Sequence, residues 1–142
     1  MRFAGDHKKL KNIDGISVAL PFVYSLEDGP YRLNKTISST VKQNLKNLIL
    51  TSPGERIMLP DFGVGLRRFL FEGMSPDTYS KLSFKIREQV RKYLPFISIE
   101  DISFSTMDSD NSLAPNQVNV SIVYNLGSLG DTDVVSISQF LN

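Results

Sequence analysis

The sequence predicts an α+β fold, in which two main helices and a short one pack on a small antiparallel sheet of three or more strands. Three observations lead to this prediction. Apolar residues recur every three to four positions along two long segments, and this period changes to two after Pro95. Polar, turn-forming loops then separate three alternating segments. Helices followed by a run of strands are typical of an α+β domain.

The composition is that of one ordinary globular domain. A chain of 142 residues with 41% hydrophobic and 22% charged residues has enough apolar side chains for a self-standing core. We predict a flexible arm over residues 1–15 and a single domain over residues 16–142. Because no apolar run approaches the roughly 20 residues that span a membrane, and no secretory signal is recognisable, we expect the protein in the cytoplasm of the producing cell.

Several kinds of chemistry are disfavoured by the residue types present. The chain has no cysteine, and its single histidine, His7, lies among lysines where a solvated side chain is the simpler interpretation. Its 16 basic and 15 acidic residues give a net charge of +1, too little for a broad field that attracts nucleic acid. We therefore expect no metal, cofactor, small-molecule substrate, membrane or nucleic acid partner, and we expect the partners to be proteins.

The first element is extended. Apolar residues occupy the even positions of residues 16–24, a period of two that predicts an extended segment with one buried face. Pro21 lacks an N–H, so the segment belongs at an edge or outside a regular ladder. Residues 27–30, Glu-Asp-Gly-Pro, form a turn by composition.

Two long helices follow. The first begins at a cap provided by Asn34 or Thr36 and ends before Pro53. A short apolar helical turn covers residues 66–71. The second long helix begins with Ser-Pro-Asp at residues 75–77, which supplies a cap, a first-turn proline and a favourable acidic charge. It ends before Pro95, and its five basic residues are more simply a solvated face than a binding patch.

Three strands complete the chain. The first covers residues 97–104, and a change of parity at Glu100 and Asp101 predicts a bulge or a strand start there. A polar loop at 108–112 leads to a second strand at 118–124, and a turn leads to a third at 134–141. No further strand is predicted after the last one. It contains neither proline nor lysine, the residues that commonly protect an edge strand from pairing with another chain. Its edge is either covered by another part of the chain, such as residues 16–24, or offered to a neighbour by strand addition, and the sequence alone leaves both open.

A charged double turn connects the first two helices. A proline and a glycine at 53–54 end the first helix, Glu55 and Arg56 place opposite charges side by side, and a second turn follows at 60–63. Arg56 could pair internally with Glu55, Asp61 or Glu72, or it could point outward with Glu55 as a bidentate partner for another chain. The residues themselves leave these alternatives equal.

The carboxylates of this stretch make a weak case for an enzyme. Glu55, Asp61 and Glu72 could supply the acid and base of a glycosidase, but the chain has no tryptophan and offers no aromatic groove for a sugar. Gly63-x-Gly65 lacks the lysine of a phosphate-binding loop. We therefore expect no catalytic residues.

The same stretch resembles a known family. The order Leu-Ile-Leu-Thr-x-Pro-Gly-Glu-Arg-x-Met-x-Pro-Asp-Phe-Gly-x-Gly-Leu over residues 48–66 is similar to the baseplate wedge family of contractile tails, which includes a phage protein named as a tail lysozyme and the baseplate component of type VI secretion systems. The resemblance covers roughly residues 16–126. It implies a structural protein of a bacteriophage tail baseplate, assembled in the host cytoplasm, whose partners are other wedge proteins and sheath subunits.

The resemblance also implies where the partners bind. The turn carrying Glu55, Arg56, Pro60, Asp61 and Phe62 would grip the helical core bundle of the wedge partners. The C-terminal sheet would exchange strands with sheath subunits and so start the first sheath ring, at positions that include Val135 and Ile137. The alternatives are the equivalent part of a type VI secretion or other tail-derived injection machine, a peptidoglycan hydrolase, and a nucleic-acid module.

Overall fold

The computed structural model describes residues 15–71, 75–106, 117–127 and 131–140. This part contains three helices and two antiparallel sheets, which confirms the predicted α+β fold. The elements, in chain order, are β1 (Ser17–Val18), β2 (Leu33–Asn34), α1 (Ile37–Leu50), α2 (Leu66–Phe71), α3 (Pro76–Tyr93), β3 (Ile97–Ser105), β4 (Gln117–Leu126) and β5 (Asp131–Phe140). None of the described helices is long and apolar enough to cross a membrane.

The chain divides into two compact units, Met1–Gln43 and Asn44–Asn142. The single domain predicted over residues 16–142 stays a prediction. The predicted arm over residues 1–15 lies outside the described residues except for Gly15. The loop predicted at 108–112 also lies outside them.

Hydrogen bonds from one glutamine organise the first unit. β1 pairs antiparallel with β2, with Val18 opposite Leu33. The amide of Gln43 donates from Nε2 to the Val18 carbonyl at 2.9 Å and accepts at Oε1 from the backbone N–H of Leu20 at 2.8 Å. These bonds provide partners for two backbone groups just where the short strand ends.

An ion pair supports the turn predicted at residues 27–30. Asp28 accepts from Lys35 Nζ at 2.7 Å and from the backbone N–H of Leu33 at 3.3 Å. The hydrogen bond from Lys35 holds the pKa of Asp28 below its usual value, and the same bond raises the pKa of Lys35. The turn therefore depends on an ionised Asp28, and its support is lost only as the pH falls through that lowered pKa.

The buried face predicted for the extended segment at residues 16–24 is wrong. Only Ser17 and Val18 enter a strand, and the five apolar side chains at the even positions are exposed in the described part of the chain. These residues are Ile16, Val18, Leu20, Phe22 and Tyr24. Alternating apolar residues give a strand one buried face only when a sheet or a helix packs against that face. Here the strand pairing ends after two residues, so the rest of the segment is not part of a sheet.

Both long helices form where the local signals place them. Thr36 is the cap of α1, since its Oγ1 accepts from the backbone N–H of Ser39 at 3.2 Å, whereas Asn34 belongs to β2. Ser75 caps α3 through a 3.2 Å bond from the backbone N–H of Thr78, with Pro76 at the first helical position. The apolar stripes of both helices are buried: Leu45, Leu48, Ile49, Leu82, Ile86 and Val90.

The second unit contains a meander with the strand order β3-β4-β5. A register shift between Ile99 and Asp101 confirms the predicted bulge. Tyr124 of β4 is fully buried, and this burial together with nearby Asp133 raises the pKa of Tyr124 to about 12. Within the described residues β3 and β5 each have one neighbouring strand, so each presents an edge.

Candidate protein-interaction site

The segment between α1 and α2, here called the 52–63 turn, is closed by its own backbone. The N–H of Gly54 donates to the Pro60 carbonyl at 2.8 Å, and the N–H of Phe62 donates to the Leu59 carbonyl at 3.0 Å. Gly63 has a φ of +110°, and a Cβ at this position would lie 2.2 Å from the Thr51 carbonyl oxygen. Only glycine fits at this position, because any side chain would collide with the Thr51 carbonyl.

A buried glutamine fixes this turn to α3. Gln89 is 2% exposed, its Oε1 accepts from the backbone N–H of Gly63 at 3.0 Å, and its Nε2 donates to the Asp61 carbonyl at 3.1 Å. We call this pair of bonds the Gln89 bridge. The sequence prediction missed Gln89. The available signal was its place beside Val90 on the buried stripe of the helix, where a polar side chain needs a partner.

Gln89→Leu is expected to lower the free energy of unfolding by about 1 to 3 kcal/mol, because it removes the partners of the buried Gly63 N–H and of the Asp61 carbonyl. Urea denaturation followed by circular dichroism measures this change. Gln139→Leu is the matched control, since it loses only an exposed bond from Arg67 and should change stability by less than about 0.5 kcal/mol. A Gln89→Leu chain as stable as the parent would show that the bridge contributes nothing.

Arg56 makes no ion pair with Glu55 or Asp61, and its outward arrangement as a partner for another chain stays a prediction. Its guanidinium carbon lies 3.9 Å from the centroid of the Phe62 ring, and that ring meets Tyr93 edge-on with centroids 4.9 Å apart. Among the described residues no carboxylate pairs with Arg56, and Asp61 lies instead 3.8 Å from Lys92 Nζ. Glu72, the third candidate partner, lies outside the described residues.

This arrangement leaves the guanidinium of Arg56 with N–H donors that could receive an acidic group. A cation stacked on an aromatic face keeps a defined plane while its N–H donors stay at the rim of that plane. A cavity of about 230 Å³ adjoins the guanidinium, with Asn44 and Asn47 contributing amides and Leu59 an apolar wall. A carboxylate next to an apolar side chain fits this combination of groups.

The tip of the turn is apolar and exposed. Ile57 is 94% exposed and Met58 90%, and Glu55 and Pro60 beside them are also exposed. Scattered apolar residues are normal on a surface, but two adjacent large ones at the tip of a fixed turn are typical of a contact surface. Ile57 and Met58 were not among the residues singled out from the sequence.

The predicted positions on the last strand need revision. Val135 and Ile137 are 2% and 1% exposed, so their side chains belong to the core. The backbone N–H of Val134 bonds to the Asp133 side chain rather than to β4, and peptide groups alternate in direction along a strand. The residues whose peptide groups face the free edge are therefore Val134, Ser136 and Ser138. Strand addition at β5 would use these neighbours of Val135 and Ile137.

The comparison with protein families decides what this chain is related to. Residues 35–129 match the family described as baseplate wedge protein gp25. The chain belongs to this family. The matched range includes the 52–63 turn, Gln89, β3 and β4, but it ends before β5. The resemblance read from residues 48–66 is thereby confirmed, and the chain is a baseplate wedge-family protein of contractile injection systems.

Solved structures share the fold of this wedge-family chain. A Geobacter sulfurreducens protein named as a tail lysozyme is 18% identical with a TM-score of 0.65, and the match covers 78% of this chain and 96% of that one. A chain of the anti-feeding prophage baseplate is 24% identical with a TM-score of 0.64, over 78% and 83% of the two chains. A chain of the type VI secretion baseplate complex is 16% identical with a TM-score of 0.57, over 72% and 92%. No curated protein matches the chain.

Proposed function

We propose that this chain is a non-enzymatic structural subunit of a contractile-tail baseplate wedge. In this proposal the 52–63 turn binds the core bundle of the other wedge proteins, and the free edge of β5 starts the first sheath ring. The particle is a bacteriophage tail, built in the host cytoplasm, and the alternative is a type VI secretion or other tail-derived machine. The observation that carries the proposal is the family match, whose range includes the whole 52–63 turn.

The geometry of Arg56 supports a binding role for the turn. Its guanidinium is oriented by Phe62 and has no acidic partner among the described residues. Two exposed apolar side chains, Ile57 and Met58, stand next to it. An arginine surrounded by apolar side chains is typical of the few residues that contribute most of the binding energy at a protein interface. A partner with a carboxylate could bind the Arg56 guanidinium, and an apolar surface beside that carboxylate could cover Ile57 and Met58.

Copurification tests the proposal. The tagged chain is isolated from cells that produce the particle, and the proteins that accompany it are identified by mass spectrometry. We expect other baseplate wedge proteins, with sheath subunits appearing only when whole tails are present. Recovery of the chain alone, from cells in which complete particles form, would contradict a place in the wedge. The genes beside its own distinguish a phage from a secretion or injection machine.

The hydrolase alternative predicts a different surface. A glycosidase needs a general acid kept protonated by burial and a second carboxylate across a sugar-sized cleft. Glu55 and Asp61 are both exposed on the turn, so neither lies in a buried cleft.

We therefore expect the purified chain to leave peptidoglycan intact. A turbidity assay with purified cell walls measures this, with an active muramidase as the positive control. Clearing of the suspension by the parent chain that disappears in a Glu55→Gln variant would establish an enzyme and overturn the structural role.

A further inference from the structure

Two cations and two aromatic rings form a row that leads from the 52–63 turn to the end of α3. Arg56 lies over the Phe62 ring, with 3.9 Å between its guanidinium carbon and the ring centroid. The Phe62 ring meets Tyr93 edge-on with centroids 4.9 Å apart, and Lys92 Nζ lies 5.2 Å from the Tyr93 centroid. Both cations are within the range of attraction to an aromatic face. We call these four residues the cation–aromatic row.

Lys92 is only weakly paired within the described part of the chain. Its Nζ lies 3.8 Å from Asp61 Oδ2, whereas the pair of Lys81 and Asp77 on the same helix is 2.6 Å apart. The side chains of Lys92 and Asp61 are 54% and 81% exposed, so water and salt screen their attraction. A carboxylate from another chain can therefore replace Asp61 as the partner of Lys92 at little cost.

The Gln89 bridge keeps Asp61 beside this row. Gln89 Nε2 donates to the Asp61 carbonyl at 3.1 Å, so the backbone of Asp61 is fixed to α3. Its carboxylate stays within reach of Lys92 whether or not another chain is bound. Asp61 is thus a permanent competitor of any acidic group that approaches Lys92.

The row limits the spacing of the groups that can bind it. Three short distances join Arg56 to Lys92 through the two rings, so the two cations lie within about 16 Å of each other, the length of three turns of an α-helix. The cavity of about 230 Å³ beside the rings is lined by Phe62, Tyr93 and Leu59, which can receive an apolar side chain. The row therefore has two positive ends and an apolar middle.

We propose that Lys92 is a second partner-binding cation, which acts with Arg56 to bind two carboxylates on one face of a partner helix. This inference rests on the proposed binding of the wedge core bundle by the 52–63 turn. One carboxylate binds Arg56, the other displaces Asp61 from Lys92, and an apolar side chain between them covers the Phe62 and Tyr93 rings. Because Asp61 competes for Lys92, it disfavours partners that lack the second carboxylate.

A purely structural role for Lys92 predicts a different result at Asp61. If the ion pair served only to hold the turn, removal of either charge would weaken partner binding in the same direction. If Lys92 binds the partner, its removal deletes a contact, whereas removal of the Asp61 charge frees Lys92 and deletes a repulsion. The two single variants therefore distinguish a binding residue from a positioning residue.

Calorimetry with the full chain tests the inference, and the probe is the wedge complex purified from cells that lack this chain. Lys92→Met is expected to raise the Kd about five- to tenfold at low salt, with a smaller difference as the ionic strength rises. Asp61→Asn should lower the Kd about two- to fivefold, because like charges no longer meet. Lys81→Met, which removes a paired and exposed lysine elsewhere on α3, should leave the Kd unchanged.

Thermal denaturation shows that each variant is folded before it is compared. Weaker binding by both Lys92→Met and Asp61→Asn would show that the ion pair only positions the turn, and it would overturn the inference. A folded Lys92→Met chain that binds as the parent does, while Arg56→Ala binds weakly, would also overturn it and would leave the proposed function intact. Failure of the parent chain to bind the wedge complex would overturn both.

Discussion

Arg56→Ala is expected to leave the chain folded and to weaken its binding to wedge partners by about 2 to 5 kcal/mol, the cost of truncating one side of a desolvated charge pair. In the free chain Arg56 loses only its contact with the Phe62 ring, so the free energy of unfolding should change by about 1 kcal/mol or less. Calorimetry with purified wedge partners measures the first change, and thermal denaturation measures the second.

Two further variants make this result specific. Arg56→Lys keeps the charge but loses the planar fork, and it should bind almost as poorly as the alanine variant. Arg68→Ala removes an exposed arginine of α2 and should bind normally. If Arg56→Ala binds the wedge partners as the parent does, the turn is not the contact, and if it unfolds, Arg56 is a structural residue.

Ser136→Pro is expected to permit baseplate assembly and to abolish sheath growth from it. The Ser136 side chain is exposed, and its peptide group faces the free edge of β5, so proline removes a donor for an added strand without breaking a bond to β4. Ser136 lies directly opposite Ser121 in the ladder, with their hydroxyls 3.4 Å apart on the exposed face of the sheet. Electron microscopy of the particles shows whether sheaths form.

The position of the proline decides what this experiment measures. Ile137 is buried opposite Val120, so proline there would remove a core side chain and a ladder bond together and would test folding instead. Ser136→Thr keeps the N–H and should support normal sheaths. Full-length sheaths on baseplates that carry a folded Ser136→Pro chain would exclude strand addition at β5.

The elements that were predicted correctly are those whose sequence signals lie within the element or directly beside it. α3 lies between a Ser-Pro start and Pro95, and the bulge in β3 appears as a change of parity within five residues. The prediction of a buried face for residues 16–24 was wrong, because burial depends on whether a segment distant in sequence packs against the strand. The same holds for Gln89, whose partner Gly63 lies 26 residues away.

The arrangement of Arg56 shows a further limit. Its neighbours in sequence suggested acidic side chains as partners. In the structure Arg56 stacks on the Phe62 ring, and that ring meets Tyr93 edge-on. A motif of residue types does not specify which side chains the folded backbone brings together. For β5 the hydrophobic period gave the strand correctly, but the direction of its peptide groups became readable only from the bond between Val134 and Asp133.

The Gln89 bridge has a mechanical consequence. Its two bonds hold the 52–63 turn at Asp61 and Gly63, and their other end lies in the C-terminal third of α3, a helix of 18 residues. The backbone on either side of Arg56 is itself closed by the bond from Gly54 to Pro60 and the bond from Phe62 to Leu59, so a pull applied at Arg56 would reach α3 with little stretching of the turn. If the wedge partners bind this turn as proposed, the load of contraction would pass through it into α3 instead of being absorbed by a flexible loop.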